Sequence, residues 1–136
     1  MSANPQWYDA TVIAAVEAVT ALLNNGFVAV YSGAQPALDG GLTGTQLAEA
    51  TFGATAFGTP AASGGTVTAT ANAISAGTIA ATGTAGYVAL LKSDGSTVVM
   101  TGSVGTSSAD LVVNTTAFVE GATFAVSSAT ISQPQT

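Results

Sequence analysis

The chain has no histidine, no cysteine and a single cation, Lys92, among its 136 residues. Each absence removes a class of chemistry. Without imidazole or thiol there is no unperturbed side chain that titrates near neutrality and no thiolate nucleophile. One lysine leaves almost nothing to hold developing negative charge. Zero cysteine also excludes a disulfide framework. The net charge of −6 argues against a nucleic-acid surface, because phosphate binding is driven by Lys and Arg that release counterions. On these grounds the chain reads as a non-enzyme with no cofactor and no metal.

Long apolar runs are missing too. The most apolar stretch, Ala10 to Leu23, is 14 residues long and contains Glu17, whereas a bilayer span needs about 20. No membrane segment is expected. The opening residues, MSANPQWYD, lack the basic region of a secretory signal. Charged residues make up only 6% of the chain, so its exterior must be built largely from hydroxyl, amide and small apolar groups. Contacts made by such a surface depend little on salt.

What is present is Ala, Thr, Gly, Ser and Val. A hydrophobic fraction of 48% excludes a disordered chain. The length suits one domain over residues 1–136, with a helix over about 5–24 and a β-sandwich over about 27–132. Much of the apolar fraction is alanine, which offers little area per residue for burial at roughly 25 cal/mol per Å². Support from oligomerisation, with a dimer favoured, is therefore expected.

The N-terminal segment carries the only helical pattern. Asn4 suits an N-cap, Pro5 a first-turn proline, and Asn25-Gly26 a C-terminal stop. At 100° per residue, Val12, Ala15, Val16, Val19, Leu22 and Leu23 share one face, and Asp9, Glu17, Thr20 and Asn24 lie opposite. Ala10, Ala14, Ala18 and Ala21 form a second, small-residue stripe, and Ile13 falls out of pattern on the polar side. Ile13 and this stripe pack either on the chain's own sheet or between subunits. Trp7 and Tyr8, large aromatics near a terminus, either anchor a partner or staple the helix to the sandwich. Trp7, Tyr8 and Ile13 are thus the candidate partner contacts.

After Gly26 the period becomes extended. Phe27 to Tyr31 is apolar on both faces and reads as an interior strand. Ser32 to Thr45 is a turn-rich loop, a short strand follows near Gln46 to Phe52, and a Gly/Ala/Pro stretch runs through Gly65. Thr66 to Ala73 alternates hydroxyl and apolar residues, and Thr78 to Ala85 repeats the style. Gly86 to Lys92 and Thr97 to Thr101 flank Ser93-Asp94-Gly95-Ser96, the clearest hairpin turn. Leu111 to Asn114 is short, and Glu120-Gly121 is expected to join Thr115 to Val119 and Ala122 to Ser132 as a second hairpin. Seven or eight strands after one helix indicate a mainly β fold, an antiparallel β-sandwich, with jelly-roll and Greek-key windings both open.

The seven carboxylates are Asp9, Glu17, Asp39, Glu49, Asp94, Asp110 and Glu120. Glycoside hydrolysis needs only two carboxyl groups, so it is not formally excluded. However, Asp39, Asp94 and Glu120 stand beside Gly in expected turns, where an acid has a backbone role. Leu38-Asp39-Gly40-Gly41 lacks the spacing of a dedicated calcium site. The runs Gly83-Thr84-Ala85-Gly86 and Gly102-Ser103-Val104-Gly105-Thr106 precede neither a lysine nor a helix, so neither is a phosphate cradle.

Three stretches, taken in order, carry a family resemblance. They are Gly26-Phe-Val-Ala-Val-Tyr-Ser-Gly-Ala-Gln-Pro, then Gly86-Tyr-Val through Lys92-Ser-Asp-Gly-Ser-Thr-Val-Val-Met to Gly102-Ser-Val-Gly, and Glu120-Gly-Ala-Thr-Phe-Ala-Val-Ser-Ser-Ala-Thr-Ile-Ser. Covering about half the chain, they resemble the cement, or decoration, proteins of tailed-bacteriophage heads, Bordetella-phage type. The resemblance implies a jelly roll on the capsid exterior of the virion, made in the host cytoplasm, that pairs with itself and clamps the major capsid protein. A tail, fibre or baseplate subunit and a carbohydrate-binding adhesive module are the alternatives.

Overall fold

A computed structural model describes residues 5–136, and Asn4, the expected N-cap, lies outside the described residues. The protein is mainly β, one helix followed by antiparallel sheets that form a β-sandwich. Helix α1 spans Asp9–Ala21. The first strands are β1 (Phe27–Tyr31), β2 (Gln46–Phe52), β3 (Ala61–Ser63), β4 (Thr66–Thr70) and β5 (Ile74–Ser75). Next come β6 (Gly77–Thr78), β7 (Gly83–Thr84), β8 (Tyr87–Leu91), β9 (Val98–Gly102) and β10 (Val104–Gly105). The last are β11 (Leu111–Val113), β12 (Ala117–Phe118), β13 (Thr123–Phe124) and β14 (Val126–Pro134).

One five-stranded sheet has the order β5-β2-β1-β8-β9 and a second β10-β11-β14-β4-β3, in which β10 and β11 are parallel; β12-β7 and β13-β6 form two further, two-stranded sheets. The pairs β1/β2, β3/β4 and β8/β9 are neighbours both in sequence and in a sheet. A continuous core fills the space between the sheets. Val28, Val30, Phe52, Val88 and Leu90 come from the first sheet, and Val67, Ala69, Leu111, Val113, Ala129 and Ile131 from the second.

The two-faced apolar character of β1 and β8 has a direct cause. Val28 and Val30 point into the core, while Ala29, Ala89 and Leu91 pack on the opposite face with Phe27, Tyr31 and Leu42. Leu42 belongs to the loop 32–45, which folds back over that outer face. Its anchor is Tyr87, wholly buried, whose hydroxyl donates to the Thr43 carbonyl at 2.6 Å and accepts from the Thr43 N–H at 3.0 Å. A phenol inside an apolar layer needs such partners.

The helix begins at Asp9, later than the expected residue 5. Tyr8 is extended (φ −72, ψ 152), and Trp7 just before it bonds to the end of the chain. The Trp7 N–H donates to the Gln135 carbonyl and the Gln135 amide donates to the Trp7 carbonyl, both at 2.9 Å. A helical Trp7 could not offer both groups sideways, so Pro5 is not a first-turn proline. The α-helix also ends earlier than the expected Asn25-Gly26 stop, at Ala21, and tight turns carry the chain on to that pair, where Asn25 is left-handed (φ 58) and Gly26 N–H closes a turn onto Leu23 at 2.8 Å.

Two expected strands are broken. Thr78 to Ala85 splits into β6 and β7, because the N–H groups of Ala80 and Ala81 both turn to the Leu47 carbonyl, at 2.7 and 3.3 Å. Glu120-Gly121 does not join a hairpin. Strand β12 pairs with β7 and β13 with β6, so segment 117–124 wraps around Ile79, whose N–H donates to Ala122 and whose carbonyl accepts from Gly121. Buried Phe118 and Phe124 meet across this bend, ring centroids 5.6 Å apart. Strand β3 appears inside the stretch read as irregular. Gly64 and Gly65, with φ of 59 and 82, turn it onto β4, a reversal that L side chains resist.

Gly26 sits where the helix meets the sheet, and a Cβ there would lie 2.1 Å from the Leu91 carbonyl oxygen. Gly26→Ala is expected to lose about 3 kcal/mol in urea unfolding. Gly53→Ala, where a Cβ meets nothing within 4 Å, should change stability by less than about 0.5 kcal/mol.

Candidate functional site

The carboxylates are dispersed, and four of them, Asp9, Glu49, Asp94 and Asp110, accept local hydrogen bonds. The Asp9 carboxylate accepts from the Gln135 amide at 2.7 Å. Asp39 holds a left-handed turn position, with φ of 59. Asp110 accepts from the backbone N–H and the hydroxyl of Ser103, at 2.9 and 3.1 Å, fastening the crossing from β9 to β11. Glu49 accepts weakly from Gln46, at 3.4 Å. Among the described residues, no three acidic side chains gather where they could hold a metal ion, and no helix is long and apolar enough to cross a membrane.

Asp94 is the most perturbed acid. The Thr97 hydroxyl donates to it at 2.5 Å, and the N–H groups of Ser96 and Thr97 each donate at 2.9 Å. These bonds, the Thr97 side chain first, lower its pKa from 3.8 to about 2. The arrangement organises the β8–β9 hairpin turn, with half-buried Lys92 at its base. It is a turn cap. On the outer face, Tyr31 stacks on Tyr87 with centroids 5.3 Å apart and planes 10° from parallel. Burial, then Tyr87 and Glu49, raise the Tyr31 pKa.

What the fold leaves open is an apolar surface along the helix. The buried side of α1 carries Val12, Val16 and Thr20, continued by Leu23. Thr20 is tolerated there because its hydroxyl donates to the Glu17 carbonyl at 3.2 Å. This side is rotated from the expected one. Ala15 is exposed, Val19 is 36% exposed and Leu22 47% exposed. The alanines at 10, 14, 18 and 21 also face solvent. The helix is apolar nearly all round, so periodicity gave no unique face; the anchors at Gln135 and Gly26 set its rotation.

Of the three residues singled out from sequence, two lie on this open surface and one does not. Trp7 is 56% and Tyr8 83% exposed. Ile13 is half-buried and packs against the core, because the helix rolls toward it. Beside the helix runs a groove of about 440 Å³ with Trp7, Thr11, Ala15 and Val19 on one wall and Met100 with Ile131 to Pro134 on the other. Its lining, Thr136 included, holds no Asp, Glu, Lys or Arg side chain. Sequence reasoning missed Val19, Leu22 and Met100 as surface groups; an apolar arc wider than one buried face was the available signal.

No family model, curated protein or solved structure matches this chain.

The pKa of Asp94 is lowered in the fold, so its contribution to stability is fully present above the unfolded value and lost as pH falls through the folded one. Protection of the Ser96 and Thr97 amides, taken relative to the intrinsic exchange rate at each pH, should therefore hold steady down to about pH 4 and be lost toward about pH 2. In Asp94→Asn this acid step should vanish while exchange at neutral pH is already faster.

Proposed function

We propose that the chain is a non-enzymatic structural protein of a virus particle, one that binds the outside of a tailed-phage head and cements neighbouring major capsid proteins. The observation that carries this reading is the apolar groove with Trp7, Tyr8, Val19 and Leu22 exposed around it. Exposed large apolar groups gathered on one side of a small domain mark a protein contact. The resemblance of three ordered stretches to cement proteins supplies the kind of partner. The neutral, hydroxyl-rich remainder suits weak contacts repeated over a lattice, where many identical joints add to a large resistance against internal pressure. Seven carboxylates and one lysine fit a protein partner and not DNA.

The alternatives place the same sandwich in a tail, fibre or baseplate, or in an adhesive module. For a glycan, the exposed neighbours Trp7 and Tyr8 are the open aromatics, and Tyr31, half-buried with its hydroxyl donating to Gln46 at 3.3 Å and Glu49 nearby, offers one further edge. The stacking partner of Tyr31, Tyr87, is wholly buried, so these two rings do not form an open pair for sugar stacking.

Heads lacking the chain should rupture at lower temperature and under milder osmotic shock than complete heads, and adding purified chain should restore resistance. Copies in the hundreds per particle are expected; a few dozen would place it in the tail. Unchanged particle survival without the chain would overturn the cement role.

A further inference from the structure

Asparagine or aspartate precedes glycine at three places, Asn25-Gly26, Asp39-Gly40 and Asp94-Gly95. These are chemically fragile pairs, because a glycine nitrogen, with no side chain beside it, is free to attack the carbonyl carbon of the preceding side chain. The attack needs a nitrogen that can shed its proton and a backbone free to turn. In this fold all three N–H groups donate to the carbonyl three residues back: Gly26 to Leu23 at 2.8 Å, Gly40 to Ala37 at 2.8 Å and Gly95 to Lys92 at 3.0 Å. The two aspartate pairs are tied within their own turns. The asparagine pair is also held by residues far along the chain. The Asn25 N–H donates to the Gly53 carbonyl and the Gly26 carbonyl accepts from the Phe52 N–H, both at 2.9 Å. Gly26 is buried with the Leu91 carbonyl against it, whereas Asn25 is exposed to the water that would complete the reaction.

We infer that Asn25 is a deamidation site gated by the fold, shut while the chain following α1 is seated on the first sheet and opened, irreversibly, when that end lifts. The step balances with water alone. The Gly26 nitrogen gives its proton to solvent base and forms a bond to Asn25 Cγ; the Cγ–Nδ2 bond breaks and ammonia leaves with a proton. Water then opens the five-membered imide at either carbonyl, giving aspartate or isoaspartate. To close the ring, the Asn25-Gly26 peptide must turn away from Leu23 and Phe52, and with the Leu91 carbonyl in contact the packed corner gives it no room. The two products differ in consequence. Aspartate only adds a negative charge at an exposed position. Isoaspartate carries the main chain through the former side chain and lengthens it by one methylene, at a corner where Gly26 has no space even for a methyl group. A chain that has opened is thereby marked, and its helix no longer reseats in the same register. This gate belongs to the isolated chain and does not depend on the partner proposed above.

The test holds the purified full-length chain at mildly alkaline pH, folded or in urea, and follows Asn25 by peptide mass spectrometry and isoaspartate content. Asn25 should convert about tenfold or more slowly in the folded chain than in the unfolded one, because reaction waits on local opening. Two core variants separate the helix gate from general loosening. Val16→Ala weakens the seat of α1, while Val113→Ala makes a similar cavity in β11, beyond the strands β3, β4 and β14 on which α1 chiefly packs. Compared at equal residual stability, set with urea, Val16→Ala should convert Asn25 about threefold or more faster than Val113→Ala, with exchange of the Gly26 amide rising in parallel. Equal speeds in the two variants would make global unfolding the gate and overturn the assignment. Equal conversion in folded and unfolded wild-type chain would overturn it too, as would an isoaspartyl chain that refolds with its Gly26 amide protected.

Discussion

The helix is clamped at both ends, and the exposed surface of this protein follows from that clamp. At its start, Gln135 bonds to both peptide groups of Trp7 through its own carbonyl and side-chain amide, and reaches the Asp9 carboxylate as well. At its end, Gly26 is pressed against the Leu91 carbonyl with no space for a side chain. A 13-residue helix held at two fixed points has its rotation decided for it. It buries Val12, Val16, Thr20 and Leu23 and leaves Tyr8, Ala15, Val19 and Leu22 in water. Without the clamp, an almost uniformly apolar helix would have little reason to prefer one side.

The sandwich beneath is economical in large side chains. Alanines at 29, 48, 50, 69, 89 and 129 occupy core positions, so area per residue is low and close backbone approach replaces bulk. Aromatic residues are placed at the joints between elements. Tyr87 fixes the 32–45 loop, Phe118 and Phe124 close the bend around Ile79, and Phe52 meets Phe57 at 5.4 Å. A core of this kind leaves a modest margin of stability.

Much of the fold was legible. The interior strand Phe27 to Tyr31, the hairpin at Ser93 to Ser96 and the alternating β4 carry local signals that tertiary contacts reinforced: apolarity on both faces, an Asp-Gly turn, period-two hydroxyls. The site was half legible. Trp7 and Tyr8 are conspicuous near one end, but Ile13 drew notice for being out of pattern when the real burial arc simply passes through it. Strand β3 was invisible because Ala-Ala-Ser has no strand preference; the Gly64-Gly65 turn and pairing to β4 make it one.

The sequence by itself determined the chemistry available and the class of fold: no imidazole, no thiol, one lysine, a single helix and then strands with turns at glycine. These are sums over local preferences, and they survive any arrangement. The tertiary structure alone decided how the helix rolls, that residues 77–84 clasp residues 117–124 instead of forming separate hairpins, and that an apolar groove remains open. Those outcomes depend on contacts between residues far apart in the chain, such as Gln135 with Trp7 or Leu47 with Ala80, where one hydrogen bond overrides the preference of the segment it touches.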